Sequence, residues 1–161
     1  MLNYSVGGEK MNAEKIDHIM IIVKDIEATA KFFSDILGSQ WIGPRDTGLG
    51  FSVAFDNLGF ELMQPTAPGN PVAEHLEKYG EGVAYVGLKV PNVEETVAEL
   101  QGKGIKAKGW RDVFKGDVKA VKTEDPDKTH GVKLEFVEYK TVPTIAFGNW
   151  RKISELPWMK L

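Results

Sequence analysis

The sequence contains no cysteine. That absence excludes a disulfide scaffold, an iron–sulfur cluster, a thiol nucleophile and a cysteine-based zinc site together, and it removes any argument for an oxidising compartment. A basic stripe is also missing. The 20 lysines and arginines are interspersed among 23 aspartates and glutamates, for a net charge of −3, so nucleic acid is not an expected partner. The longest strongly apolar run, 19–23, is far too short to span a bilayer. Met1 to Lys15 shows no apolar stretch followed by a small-residue cleavage site. The expectation is a cytoplasmic protein without a membrane partner.

What is present is apolar mass, and repetition. With 42% apolar and 10% aromatic residues in 161, the chain fits one domain or two small halves sharing a core. A repeat stands at an offset of 67 positions. Ile16-Asp17-His18-Ile19-Met20-Ile21-Ile22-Val23 lies over Val83-Ala84-Tyr85-Val86-Gly87-Leu88-Lys89-Val90. Each stretch reads as a strand followed by a cap residue, Asp25 or Asn92, that opens a helix. The helices carry apolar stripes, Ile26, Ala30, Phe33, Ile36 and Leu37 in one and Val93, Val97 and Leu100 in the other, and each is expected to stop at a glycine, Gly38 or Gly104.

Strands are expected at 39–42, 51–55 and 59–63 in the first half, and at 106–110, 118–123 and 132–138 in the second. Phe60-Glu61-Leu62 matches Leu134-Glu135-Phe136. A linking helix, 71–79, has Asn70 as cap and Gly80 as stop. A single βαβββ unit cannot cover its own sheet, whereas two can share one. The expected fold is therefore α+β, with tandem βαβββ repeats forming a curved mixed sheet around a shared concave site. The domain takes residues 15–139, with halves 15–64 and 82–139. Residues 1–14 read as a disordered or loosely ordered leader. The extension 140–161 holds Phe147, Trp150 and Trp158, too aromatic for a solvated tail, and is expected to pack on the domain or on a dimer partner.

The repeat makes His18 equivalent to Tyr85, and Glu61 to Glu135. Alternation along a strand puts His18 on one face with Ile16, Met20 and Ile22. A lone strand histidine is more often a satisfied core residue than a ligand, but recurrence of the glutamates in a duplicated unit raises the odds of a shared site. One imidazole with two carboxylates suits a divalent Mn, Co, Ni, Zn, Fe or Mg ion. His75 is expected on a solvated helix face and His130 in a structural turn. Gly48 and Gly50 lack the strand-to-helix context of a dinucleotide loop. Arg45, Trp110, Arg111 and Lys115 could rim a pocket for an anionic substrate, but scattered charges are usually only solvated.

The opening stretch through Asp25-Ile26-Glu27 and Leu37-Gly38, the run Phe60-Glu61-Leu62-Met63-Gln64-Pro65 and the run Gly131-Val132-Lys133-Leu134-Glu135-Phe136 resemble the glyoxalase and methylmalonyl-CoA epimerase group of the vicinal oxygen chelate superfamily. The resemblance covers about residues 16–138. It implies a metal held by His18, Glu61, Tyr85 and Glu135, with Glu135 and Tyr85 also in catalytic roles. The family usually has histidine where Tyr85 stands, and a phenol must lose a proton before it can ligate. It also places a catalytic glutamate where this chain has Val53. An epimerase needs two acid–base groups, so this departure points away from epimerase activity itself. The implied function is an isomerase or lyase acting on a small oxo-acid or acyl substrate through a metal-bound enolate, in a homodimer. The alternative is a metal-free small-molecule binding protein of the bleomycin-resistance type, and a weaker one is an oxygen-using iron enzyme.

Overall fold

Each apolar repeat becomes a strand–helix pair whose ends are set by the residues that cap them. A computed structural model describes residues 12–113 and 118–140, the side chains of 110–113 excepted. The first half comprises β1 (Lys15–Ile22), α1 (Ile26–Leu37), β2 (Trp41–Asp46), β3 (Phe51–Asp56) and β4 (Phe60–Pro65). After α2 (Pro71–Tyr79) the second half repeats the pattern as β5 (Gly82–Lys89), α3 (Val93–Gly102), β6 (Ala107–Val113), β7 (Val118–Thr123) and β8 (Leu134–Tyr139). Asp25 caps α1 by accepting from the Ala28 amide at 2.9 Å, and Gly38 ends it in the left-handed conformation that glycine adopts freely. Asn70 caps α2 through Oδ1, while its Nδ2 donates to the Gly50 and Ala67 carbonyls. One side chain thus fixes the helix start to the β2–β3 turn.

The eight strands form one mixed sheet in the order β2-β3-β4-β1-β5-β8-β7-β6. β1 is parallel to β4 and β5 to β8, and the halves meet at an antiparallel β1–β5 seam. Seam pairing follows the repeat closely. His18 faces Gly87 and Met20 faces Tyr85, so a local two-fold axis passes through the Ile19–Val86 pair. The tandem βαβββ architecture is as expected.

Alternation divides the side chains between two faces. Ala54 and Leu62 pack under α1, and Val121 and Phe136 under α3. The opposite face carries Met20, Ile22, Phe51, Val53, Phe55 and Met63, closed in part by Val72 and Leu76 of α2.

Some boundaries differ from expectation. β2 runs over Trp41–Asp46 rather than 39–42, because Ser39 and Gln40 spend their polar groups locally: Ser39 Oγ accepts from Trp41 Nε1, and the Gln40 amide donates to Asn57 Oδ1. α3 stops at Gly102, with Lys103 as its cap, and the left-handed Gly104 follows. β8 begins at Leu134 because its amide turns to Thr123 Oγ1. Most of the expected leader and all but one residue of the expected extension lie outside the described residues, as does Lys115. At the leader's end Glu14 is tied to β5 by an ion pair to Lys89 at 2.6 Å.

Candidate metal centre

Glu61 and Glu135 are the second residues of β4 and β8, on the strands flanking the seam, and both face the side opposite α1 and α3. His18 reaches between them from β1. Its Nε2 lies 2.8 Å from Glu135 Oε2 and 3.2 Å from Glu61 Oε2. All three residues are at most 5% exposed, and their potential ligand atoms lie within 4.8 Å of one another.

The His18 ring is fixed from behind and below. Behind it, Nδ1 is 3.0 Å from Asp17 Oδ2, and the same oxygen accepts a very short hydrogen bond from the Tyr139 hydroxyl. Asp17 reaches this position through a register shift between Ile16 and His18, a bulge that puts consecutive residues on the same side. The bulge also corrects an expectation: Ile16 does not share the face of His18, and is half exposed. Below the ring lies Gly87. A Cβ there would meet Cε1, Nδ1 and Nε2 of His18 at 2.5, 2.7 and 2.8 Å, so the ring rests against bare backbone.

The charges in this cluster shift one another. Burial disfavours the His18 imidazolium, but hydrogen bonds to Asp17, Glu135 and Glu61 outweigh it and hold the pKa well above the usual 6.5. Burial would likewise raise Glu135, yet the Lys122 ammonium and His18 keep it well below the ordinary carboxylate range. Burial and the Asp17 charge push the Tyr139 phenol well above 10, which keeps it a donor. With Nδ1–H held by Asp17, loss of the Nε2 proton would free a lone pair directed between the two carboxylates. One nitrogen and two carboxylate donors, buried and oriented by a carboxylate–histidine contact, fit a divalent ion in the position now held by a proton.

Tyr85 lines the same cavity, about 900 Å³ in volume, but its ring takes a different course from that of His18. The seam partner of His18 is a glycine; that of Tyr85 is Met20, whose buried side chain occupies the equivalent place. The Tyr85 ring lies instead beneath the Lys122 ammonium, 4.7 Å from its centroid. Burial outweighs the lowering effect of Lys122 and holds its phenol above 10. Val53 is buried among apolar neighbours of the first half and carries no acid–base group.

His75 corrects a second expectation. Rather than facing solvent, it is half-buried, lines the cavity and packs at a tilt against the Tyr79 ring at 4.8 Å, because α2 lies against β4 and β1 with this face turned inward. His130 takes a left-handed turn conformation after Pro126–Thr129. Sequence reasoning missed Asp17, Gly87, Lys122 and Tyr139. Signals existed for two of them: Gly87 is a glycine inside a strand, which often marks close approach, and Lys122 stands where the first half has Phe55.

Residues 17–121 match the glyoxalase/bleomycin resistance protein/dioxygenase superfamily. The chain belongs to that superfamily. It is 33% identical to the mitochondrial methylmalonyl-CoA epimerase of Homo sapiens over 110 residues, covering 63% of this chain and 61% of that protein. It is 28% identical to the lactoylglutathione lyase of Haemophilus influenzae over 140 residues, 84% of this chain and 99% of that one. A variant of Streptomyces coelicolor methylmalonyl-CoA epimerase, solved in complex with 2-nitronate-propionyl-CoA, superposes with a TM-score of 0.69 at 25% identity, over 81% of this chain and 98% of that one. The chain spans about six-tenths of the length of the mammalian epimerases it matches. Among the described residues no helix is long and apolar enough to cross a membrane.

Proposed function

We propose that the chain is a metal-dependent isomerase or lyase acting on a small oxo-acid or acyl substrate, with His18, Glu61 and Glu135 as the protein ligands. The observation that carries this reading is the convergence of three buried donors on one point, backed by Asp17 and Tyr139. A buried histidine between two carboxylates is costly to maintain for packing alone. A divalent ion bound there supplies Lewis-acid polarisation of a substrate oxygen.

The chain's own residues supply the rest. Glu135, ionised at neutral pH, is the group placed to take a proton from a substrate carbon. Tyr85, a neutral phenol on the cavity wall, donates a hydrogen bond toward a substrate oxygen, its ring being turned from the trio by Met20. The apolar wall of Leu49, Phe51, Met63 and Val72 shields that oxygen from water. Because Val53 offers no second proton carrier, the reaction is one-base chemistry rather than epimerisation.

Metal analysis of protein prepared without chelator or affinity tag tests the reading. Bound metal, or a thermal stabilisation by Mn, Co, Ni or Zn that His18→Ala abolishes, is the expected result. No uptake of any of these ions would refute it and leave the metal-free sequestering function.

A further inference from the structure

We propose that Lys122 and Lys133 form an oxyanion subsite in the second-half wall of the same cavity, taking the carboxylate or phosphoryl end of the substrate. The inference rests on the proposed function for the placement of the substrate's other end, and otherwise on the following geometry.

β3 and β7 are equivalent strands, and Phe55 and Lys122 are equivalent positions, opposite Glu61 and Glu135 respectively. In the first half Phe55 is 1% exposed and fills the core, so the fold is satisfied by an apolar side chain there. In the second half the same position holds a lysine whose side chain is only 19% exposed, and withdrawing an ammonium from water is costly. Packing alone gives no reason for it. Lys122 Nζ stands 3.5 Å from Glu135 Oε1, 3.6 Å from Met20 Sδ and 4.7 Å from the Tyr85 ring centre.

Lys133, just before β8, brings a second ammonium to the same rings, 3.8 Å from the Tyr79 centroid and 5.9 Å from that of Tyr85. It makes no ion pair among the described residues. Lys78 adds a third ammonium, 4.9 Å from the Tyr79 centroid. The carboxylates nearby are Glu135, which faces Lys122, and Glu74 and Glu124, which also line the cavity. Lys133 and Lys122 both act on His75, whose pKa is lowered by burial first and then by these two ammonium groups. The first-half wall opposite is apolar. A ligand with one anionic end has therefore one wall to which that end can turn, and ring faces beside the charges favour an organic occupant over a hydrated inorganic ion.

Titration calorimetry of the full chain with malonate and with inorganic phosphate, each without metal and with Zn added, tests the subsite. The wild type is expected to bind at least one of them, malonate preference marking a carboxylate end and phosphate preference a phosphoryl end. Affinity should fall about tenfold or more in Lys122→Met and in Lys133→Met, as for loss of a bond to a charged group. Should Lys122→Met fail to fold, Lys133→Met, at a position outside the strands, decides. Failure of the wild type to bind either anion, or affinities that ignore both substitutions, would overturn the proposal. Lysine-dependent anion binding in a protein that takes up no zinc would uphold the subsite and sink the metal reading; zinc uptake with lysine-independent anion binding would do the reverse.

Discussion

Gly87→Ala isolates the contact on which the candidate centre is built. Gly87 is not among the glycines with positive φ, so alanine suits its backbone, and in a strand the change alone is worth roughly 0.5–1 kcal/mol of stabilisation. The added Cβ would, however, stand 2.5–2.8 Å from three His18 ring atoms, against an ordinary contact of about 3.5–4.0 Å. The ring must retreat by about 1 Å. It cannot do so without stretching its contacts to Asp17, Glu135 and Glu61, now at 3.0, 2.8 and 3.2 Å. Overpacking costs about 1–3 kcal/mol, and each weakened buried hydrogen bond about 1 kcal/mol more. A net loss of about 2–4 kcal/mol lowers Tm by roughly 5–15 °C in a chain of this size. Metal affinity should fall at least the roughly 10–100-fold seen when a ligating histidine loses its orientation. The assay is a double-mutant cycle with His18→Ala, read by thermal unfolding, together with chelator competition on the Gly87→Ala single variant. Without the ring, Gly87→Ala should be neutral or stabilising. Equal destabilisation in both backgrounds would refute the argument, because the penalty would then belong to the strand and not to the histidine.

Tyr139→Phe removes the donor to Asp17 without opening a cavity; metal affinity should drop by about tenfold through loosened orientation of His18, and chelator competition showing no change would show that the tyrosine only fills space. The acidity of the centre gives a pH prediction with a definite sign. His18 has a folded pKa raised above 6.5, so its contribution to the stability of the metal-free protein is fully present below 6.5 and is lost as pH rises through the raised value. Metal must displace that same proton, so metal affinity should climb with pH across the same window and then level off; pH-independent affinity between 6 and 9, an interval chosen around the ordinary value of about 6.5, would contradict the assignment of His18 as a ligand.

Much of this architecture was legible because a duplication states its own register. The offset that laid His18 over Tyr85 also predicted that Met20 and Gly87 would be equivalent, and the seam pairs them crosswise as a two-fold axis requires. Caps were readable for a similar reason: Asn70 and Asp25 satisfy local amides, so short-range sequence determines them. The parts that escaped depend on departures from regularity or on long-range contact. Asp17 should face away from His18 by strand alternation, and only the bulge brings it alongside. Tyr139 lies 122 positions from Asp17 in the chain, and no pattern within either strand announces the pairing. His75 could not be placed because the tilt of α2, not its periodicity, turns that face inward.

Comparison of equivalent positions explains how a duplicated fold arrives at an asymmetric centre. Both glutamates are kept, on the strands flanking the seam. Nearer the axis the halves differ in a correlated way: His18 has Asp17 behind it and Gly87 beneath, whereas Tyr85 has Ala84 and Met20 in the corresponding positions. An imidazole needs both a carboxylate to orient it and bare backbone to lie on, and only one half supplies either. The lack of a second histidine is therefore not an isolated difference between otherwise symmetric halves; the supports that such a ring needs are absent as well. With no ring required over residue 20, Met20 fills the space, Tyr85 turns aside, and Lys122 can lie between them where Phe55 closes the core of the other half. The same divergence thus leaves one histidine between the two glutamates and a cationic wall beside Glu135 in the second half alone, and a substrate held by both would be bound in a single orientation.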